Sequence, residues 1–217
     1  MICLLLGGCN GGLSTLDPAG PAAGRVALLW WIMLAGATLL FLASSAVLAG
    51  AFLPSVRAAL TPGRLILWGG LVVPAVVLTL LVVAAYLLGE RLLAGPRADA
   101  PLRIEAIARQ WVWEFRHPDG RTTFDRLHMP AGQDVDFVVT STDVIHSFWI
   151  PRLGGKIDAI PGHVNTVRLR ADRPGVYGGV CAEFCGDGHT VMRFVVEAHA
   201  GEDYGQAVEA AAAGTQP

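Results

Sequence analysis

The chain has 217 residues, of which 53% are hydrophobic and 16% are charged, and its formal net charge is −2. A mean hydropathy of +0.50 is too high for an ordinary soluble protein and predicts segments that cross a membrane. From Asp99 onward, 16 acidic residues outnumber 11 basic ones, which gives this part a formal charge of −5. Such an acidic region argues against nucleic acid as a partner and favours a basic protein.

Residues 1–24 have the features of a leader followed by an N-terminal arm. Leu6-Gly7-Gly8-Cys9 resembles the lipobox of bacterial lipoproteins, whose cysteine is acylated. The basic residues that normally begin a signal peptide are missing, so a chance match is the alternative. Lipidation of Cys9 is therefore a hypothesis.

Two uncharged runs follow, over residues 26–56 and 65–89. Each exceeds the roughly 20 apolar residues that a helix needs to cross a bilayer. We therefore predict a transmembrane helical hairpin over residues 25–98, with spans at about 26–53 and 65–89. A pair of buried core helices is the alternative, and the eight residues between the two runs disfavour it.

Charges beside the two runs bear on the orientation of the hairpin. Arg57 and Arg64 lie in a connection without acidic residues, which favours a cytoplasmic connection and external termini. Arg91 and Arg97 follow the second run closely and favour the opposite orientation. The first arrangement is the one that we expect.

Residues 99–205 are dominated by short segments rich in Val, Ile, Phe and Thr, which Pro- and Gly-containing turns separate. Trp111, Trp113 and Phe115, for example, alternate with other residues as the side chains of a strand do. The pattern predicts a small antiparallel, all-β sandwich or barrel. Residues 206–217 are rich in alanine, and we expect them to form a C-terminal tail.

The segment with the clearest chemistry contains Cys181, Cys185, His189 and Met192. Thiolate and thioether ligands beside imidazole select copper over hard cations. A mononuclear blue-copper site needs one cysteine and two histidines, so this segment has a cysteine too many and a histidine too few. His146 follows a strand-like stretch and is the best candidate for the missing imidazole. Two copper ions that share both thiolates would use the whole set.

Other interpretations of these residues stay open at this point. Cys181 and Cys185 could form a disulfide, and two cysteines with two histidines could bind zinc, although the spacing matches no common zinc finger. A nucleophilic cysteine enzyme would need only one of the two thiols. The remaining histidines have no obvious ligand-type neighbours in the sequence, and we expect surface or turn positions for them: His117, His128, His163 and His199.

Several motifs together resemble subunit II of cytochrome c oxidase. They are Gln110-Trp-Val-Trp113, His146-Ser147, Asp158-Ala-Ile-Pro-Gly162, Arg173-Pro-Gly175 and the segment from Cys181 to Met192. The resemblance covers about residues 20–205 and implies two transmembrane helices followed by an all-β cupredoxin-like sandwich or barrel with the dinuclear copper centre CuA.

The resemblance also implies roles for individual residues. Cys181 and Cys185 would bridge the two copper ions, and His146 and His189 would each bind one of them. Met192 would be a weak ligand. Two further residues would take part: Glu183 would ligate copper through its backbone carbonyl and direct its side chain to a magnesium ion shared with subunit I, and electrons would enter through Trp111.

The function implied is that of a subunit of a respiratory oxidase. The chain would accept electrons from cytochrome c and pass them to haem in subunit I, where oxygen is reduced to water with proton translocation. It would lie in the bacterial inner membrane with its copper domain on the periplasmic side. Acidic residues suited to a basic donor protein include Asp119, Asp125, Asp134, Asp136 and Asp143.

Two departures from the family pattern and three rival classes remain. Residues 61–68 lack the glutamate that the family often has near the start of the second span, and the sequence has no Cys-x2-Cys-His motif of a fused haem c domain. The rivals are the quinol oxidase form of the subunit, which lacks the copper ligands, a tethered copper chaperone and a disulfide-linked β-sandwich without metal.

Overall fold

The computed structural model describes residues 10–89 and 102–214. Of these, residues 28–89 form one compact unit, and residues 10–27 together with 102–214 form the other. The first unit is helical and the second is built mainly of strands, in agreement with the expected fold class of two apolar helices followed by an all-β sandwich.

The helices of the first part of the chain follow the two uncharged runs. Two of them are long and apolar enough to cross a membrane, over Pro21–Gly50 and Pro62–Leu87. Their constituent segments and the short helix between them are α1 (Pro21–Gly50), α2 (Pro54–Ala59), α3 (Pro62–Arg64), a π-helical stretch (Leu65–Val72) and α4 (Val73–Gly89).

Proline accounts for several features of these helices. Pro54 and Pro62 each occupy the first turn after an extended residue, where a missing N–H costs nothing. Pro74 cannot donate a hydrogen bond within the second long helix. The helix adjusts immediately before it, because the π-helical stretch ends with a bond from the Val73 N–H to the Trp68 carbonyl.

The second unit is a sandwich of two five-stranded sheets. One sheet has the order β3-β2-β1-β5-β8 and the other has the order β4-β10-β9-β6-β7. The strands are β1 (Leu102–Arg109), β2 (Val112–Arg116), β3 (Thr122–Phe124), β4 (Arg126–Pro130), β5 (Val135–Ser141), β6 (His146–Trp149), β7 (Ile157–Ala159), β8 (Asn165–Leu169), β9 (Gly175–Cys181) and β10 (Arg193–His199).

The sheets are mixed, which differs from the purely antiparallel sandwich that we expected. β1 pairs with β5 in parallel, and β4 pairs with β10 in parallel. Parallel neighbours need long connections. Both pairs satisfy this condition because several strands separate their members along the chain. Turn spacing in the sequence locates the strands but does not determine which distant strands become neighbours.

Aromatic side chains fill the space between the two sheets. Trp113 and Phe115 on β2 are fully buried, and they face Phe148 and Phe194 from the opposite sheet. Phe148 and Phe194 stack with ring centroids 5.2 Å apart. This rigid core lies directly beneath the strands that carry the candidate metal ligands, since Trp113 also contacts the ring of His146 edge-on, with centroids 6.3 Å apart.

Both ends of the described chain pack in the strand-rich unit. In the N-terminal arm, the Ala19 N–H donates to the Arg152 carbonyl at 2.7 Å, and the Asp17 carboxylate pairs with Arg152 at 2.8 Å. At the other end, α5 (Tyr204–Gly214) contacts β3, β4 and β10 and buries Val208. The helix thus begins two residues before the predicted tail, and the proposed leader boundary at residue 24 falls inside α1.

Candidate metal centre

Two neighbouring strands and one loop position the candidate ligands. β6 and β9 pair so that Phe148 lies opposite Cys181, and the Ala182 N–H continues the ladder by donating to the Ser147 carbonyl at 2.9 Å. This pairing places His146, the first residue of β6, beside the end of β9. The chain then turns through Cys185 and a short 3-10 helix (His189–Val191), which brings the rest of the motif back to the same place.

The five predicted side-chain ligands lie together in a continuous series of contacts. The Cys181 Sγ atom is 3.7 Å from the His146 Nδ1 atom and 3.8 Å from the Cys185 Sγ atom. The Cys185 Sγ atom is in turn 3.7 Å from the His189 Nδ1 atom and 3.8 Å from the Met192 Sδ atom. We call these five residues the loop site. Each thiol has one imidazole neighbour, which is the arrangement expected if each of two metal ions binds one histidine.

The donor set fits a soft transition metal. The two cysteines are free thiols, so the disulfide alternative is not adopted. Metal bonds of about 2.3 Å to sulfur and about 2.0 Å to nitrogen allow one ion to contact any two neighbouring donors separated by 3.7 or 3.8 Å. The buried thioether of Met192 adds a third soft donor, which favours copper over the zinc alternative.

Burial controls the ionisation of the loop site. Burial raises the pKa of the Cys185 thiol to about 12, and the adjacent Cys181 acts in the same direction. Without a neighbouring cation, the thiol would therefore stay protonated at neutral pH. A bound metal ion reverses this preference, because its positive charge stabilises the thiolate.

Asp143 orients the histidine on β6. Its Oδ1 atom accepts a hydrogen bond from the His146 Nε2–H at 2.9 Å, which leaves the Nδ1 lone pair directed at Cys181. Burial opposes ionisation of Asp143. Hydrogen bonds from the backbone N–H groups of Gln110 and Val144 and from His146 more than offset it and lower the pKa to about 2. The sequence suggested Asp143 only as a surface acid.

Trp111 lies against the ligand loop instead of in the core. Its indole N–H donates to the Cys185 carbonyl at 3.2 Å, and the Gln110 side-chain amide donates to the same oxygen at 2.7 Å. The indole packs so closely on Gly188 that a Cβ atom there would lie 2.4 Å from the Trp111 Cδ2 atom. Trp111 is nevertheless 42% exposed, so it connects the loop to solvent.

The residues between the two cysteines point in different directions. The Glu183 carbonyl accepts a hydrogen bond from the Cys181 thiol at 3.3 Å, whereas its exposed carboxylate lies 3.5 Å from the Lys156 ammonium group. Phe184 is 76% exposed, and its ring approaches that of His189 edge-on with centroids 5.8 Å apart. The loop therefore presents an apolar ring to solvent next to one of the candidate ligands.

Three predictions about polar residues need correction. His117 and His128 are buried and not at the surface, although His117 does begin the turn that ends at Gly120, as expected. His128 and His199 also have ligand-type neighbours, since they lie close to each other and to Glu197. Asp136 is buried in a salt bridge with Arg168 at 2.6 Å, so it is unavailable to a partner protein. His163 is exposed as expected.

Similarity to known proteins extends over both parts of the chain. The family model for cytochrome C oxidase subunit II, periplasmic domain, matches residues 121–199. Cytochrome c oxidase subunit 2 of Alkalihalophilus pseudofirmus is 32% identical over 96% of this chain and 65% of that protein. The same subunit of Thermostichus vulcanus is 44% identical over 48% of this chain and 31% of that protein.

A solved structure also matches. The periplasmic domain of subunit II of cytochrome oxidase of Bradyrhizobium japonicum is 31% identical, with a TM-score of 0.49, and the match covers 54% of this chain and 95% of that one. The chain spans less than two thirds of the length of the two curated relatives above.

Two apolar helices and a sandwich that gathers two thiols, two imidazoles and a thioether define a class of membrane-anchored proteins with a candidate metal centre. Sequence similarity narrows the class further. The chain belongs to the cytochrome c oxidase subunit II family, which confirms the resemblance inferred from its motifs.

Proposed function

We propose that this chain is the electron-accepting subunit of a respiratory oxidase. It receives electrons from cytochrome c at a dinuclear copper centre and passes them to haem in subunit I, where oxygen is reduced to water with proton translocation. The observation that carries the proposal is the loop site. All five side-chain ligands required for a thiolate-bridged copper pair lie within 3.8 Å of a neighbouring member of the set.

Each residue of the loop site has a defined part in holding the metal. Cys181 and Cys185 would bridge the pair, His146 and His189 would each bind one ion, and Met192 would be a weak ligand. The Glu183 carbonyl, which already faces a thiol, would complete the set. When bound, such a copper pair supplies a site that accepts and releases a single electron.

The surrounding residues keep this site rigid and dry. The side chains of His146, Cys181, Cys185 and Met192 are buried, which excludes water from the donors. The aromatic core under β6 and the carboxylate of Asp143 fix the His146 ring from two sides. Ligands that cannot move when the charge of the site changes lower the reorganisation that accompanies electron transfer.

Trp111 is the proposed point at which electrons enter. Two properties support the role: the indole is partly exposed, and its N–H contacts the carbonyl of the ligand Cys185 at 3.2 Å. A donor that touches the exposed edge would be linked to the loop site by one side chain and one hydrogen bond. The exposed ring of Phe184 offers an apolar contact on the same loop.

The negative charge of the copper domain suits a basic donor protein such as cytochrome c. The region from Asp99 has a formal charge of −5, and a field of this sign accelerates the encounter with a basic partner. Asp119 and Asp125 are exposed and remain candidates for that encounter. We expect the rate of reduction by cytochrome c to fall as ionic strength rises, because the Debye length shortens to about 8 Å at 0.15 M salt.

The Glu183 carboxylate is the proposed contact with subunit I through a magnesium ion. Its exposure supports this role, since one carboxylate usually binds magnesium together with ligands from elsewhere. The Lys156 ammonium group at 3.5 Å competes for the same oxygen atoms. The magnesium ion would therefore have to displace that ion pair when the subunits assemble.

The proposed location is the bacterial inner membrane. The two apolar helices anchor the chain, and the metal-binding domain would lie on the periplasmic side. The proposed domain limits are residues 1–24 for the leader and arm, 25–98 for the hairpin, 99–205 for the copper domain and 206–217 for the tail. Cys9 and its proposed lipidation lie outside the described residues.

Copper analysis of the full chain in detergent tests the function. We expect two copper ions per chain and an electron paramagnetic resonance spectrum of one unpaired electron shared by both. A single copper ion, or none after reconstitution, would contradict the dinuclear site. The quinol oxidase form would bind no copper, and a copper chaperone would bind one Cu(I) ion.

A further inference from the structure

A second group of metal-type ligands lies on the parallel pair β4–β10. His128 is opposite Glu197 in the register of this pair, and His199 follows Glu197 by two residues on the same strand. Residues two apart in a strand project from the same face. Because Leu127, Met129, Val196 and Ala198 occupy the core face, the three ligand-type side chains share the outer face. We call His128, Glu197 and His199 the strand-pair cluster.

The three side chains are arranged at the spacing of a metal site. The His128 Nδ1 atom is 2.9 Å from the His199 Nε2 atom. The Glu197 Oε2 atom is 3.7 Å from the first of these nitrogens and 3.9 Å from the second. A triangle with these sides has a point about 2.1 Å from all three corners, which is the bond length of zinc to imidazole nitrogen and carboxylate oxygen.

The surroundings of the cluster hold the ligands in place and leave one side open. Arg126 binds the other carboxylate oxygen of Glu197, Oε1, and leaves Oε2 directed at the histidines. The His128 side chain is 4% exposed, whereas those of His199 and Glu197 are 20% and 24% exposed. An ion can therefore reach the cluster from solvent, and a water molecule can occupy its remaining coordination position.

The His128 ring makes its polar contacts on one side only. Among the described residues, no hydrogen-bond partner reaches the His128 Nε2 atom. The polar contacts of this ring are thus all made on the Nδ1 side, where His199 and Glu197 lie.

We propose that the strand-pair cluster is a second metal site, which binds one Zn²⁺ or a similar divalent transition ion through two imidazoles and one carboxylate. This ligand set lacks thiolates and suits borderline ions, so it differs from the loop site in chemistry as well as in position. The ion replaces the proton that lies between the His128 Nδ1 and His199 Nε2 atoms. That proton moves to the second nitrogen of the imidazole ring to which it was bonded.

The expected consequence of binding is a cross-link at the edge of the sandwich. β4 is the outermost strand of its sheet, and the ion would join it to β10 by bonds that the backbone ladder does not provide. Arg126 places a positive charge beside the site, which weakens binding of a cation. The site is therefore expected to take up the ion reversibly instead of holding it permanently.

Zinc titration of the full chain in detergent tests the proposal. Cys181→Ser and Cys185→Ser are introduced together so that zinc cannot occupy the loop site. In this background we expect one zinc ion per chain by isothermal titration calorimetry, and nitrogen and oxygen ligands only by X-ray absorption. His199→Gln should weaken zinc binding at least tenfold, whereas His163→Gln, which removes an exposed histidine elsewhere, should leave it unchanged.

Two results would overturn the second site: no zinc binding at micromolar concentrations, or equal zinc binding by the parent chain and His199→Gln. Glu197→Gln provides an independent variant if His199→Gln does not fold, as judged by circular dichroism. The strand-pair cluster and the loop site share no ligand. The copper analysis can therefore fail while zinc binding persists, and the reverse can also occur.

Discussion

The loop site and the strand-pair cluster are two groups of ligands built on the same sheet in different ways. In the loop site, four of the five ligands fall within the twelve residues from Cys181 to Met192, and only His146 comes from elsewhere. In the strand-pair cluster, His128 and His199 are 71 residues apart and meet through the register of two strands. The first site is mostly local, whereas the second depends on the pairing of two strands that are distant along the chain.

The loop site and the strand-pair cluster also differ in their donor atoms. The loop site is soft, since its two thiols and one thioether are buried beside two imidazoles. The strand-pair cluster offers imidazole and carboxylate and remains partly open to solvent. If each group binds the metal that suits it, one sheet would hold copper and zinc without exchange between them.

Removal of one ligand from each group tests this separation and gives the largest expected effects. Cys185→Ser removes a bridging thiolate, so we expect loss of the two-copper paramagnetic signal with unchanged zinc binding. His199→Gln, loaded with copper so that zinc cannot occupy the loop site, should give the reverse pattern. Metal analysis and electron paramagnetic resonance of both variants measure the two outcomes side by side. Loss of both metals in either variant would show that the two groups are coupled.

The loop site also differs from the strand-pair cluster in the carboxylate of Asp143, which holds His146 on β6 in position. Asp143→Asn removes the charge that accepts the His146 Nε2–H. Loss of such a partner typically weakens metal affinity by about 10- to 100-fold. Retention of copper against a chelator measures the effect. Asp172→Asn is the matched control, because that carboxylate pairs with Arg170 at the surface; equal losses in both variants would argue against a positioning role for Asp143.

Candidate ligands that are close along the chain could be grouped from the sequence, and the structure places their side chains together. Cys181, Cys185, His189 and Met192 could be grouped because one loop must keep them together, and ligand counting suggested His146. The resemblance to a known family then added Glu183 and Trp111. The strand pattern misled for Trp111, because its alternation with the buried Trp113 suggested that both side chains belong to one strand and one face. Trp111 instead precedes β2, and its indole lies over Gly188.

The strand-pair cluster shows why the rest could not be predicted. Glu197 and His199 are two apart in a strand and could have been paired from the sequence. Nothing in the sequence indicates that β4 lies parallel to β10 or that α5 packs beside them. Since those two contacts bury His128 and bring it to Glu197, an apparently isolated histidine was assigned to the surface.

A smaller effect is expected from adding a methyl group where Trp111 packs on the loop. In Gly188→Ala the new methyl group would lie 2.4 Å from the Trp111 Cδ2 atom, so the indole must move away from the loop. Overpacking of this kind costs about 1–3 kcal/mol, and we expect a lower melting temperature and slower reduction by cytochrome c.

Gly155→Ala is the matched control for that change, because its added Cβ atom would have no neighbour within 4 Å. Zinc binding by the strand-pair cluster should be the same in both variants. If Gly188→Ala keeps the wild-type rate of reduction, the contact between Trp111 and the loop is not needed for electrons to enter.

The last effect, which appears only at acidic pH, concerns His117, which lies beside His128 with ring centroids 6.3 Å apart. Burial lowers the pKa of His117 from 6.5 to about 4, the His128 ring acts in the same direction, and Asp119 partly opposes them. The unfolded chain therefore binds a proton more readily than the folded one between these values. The stability linked to His117 is complete above pH 6.5 and is lost as the pH falls to about 4.

This loss amounts to at most about 1.4 kcal/mol per pH unit, and it should appear as a falling melting temperature in that interval. His117→Gln should flatten the decline, because glutamine does not titrate. Nuclear magnetic resonance of the histidine-labelled chain, with His117→Gln used for assignment, should give a midpoint near 4. A midpoint at the ordinary histidine value would mean that water reaches the region around α5 and that His117, unlike the loop site, is hydrated.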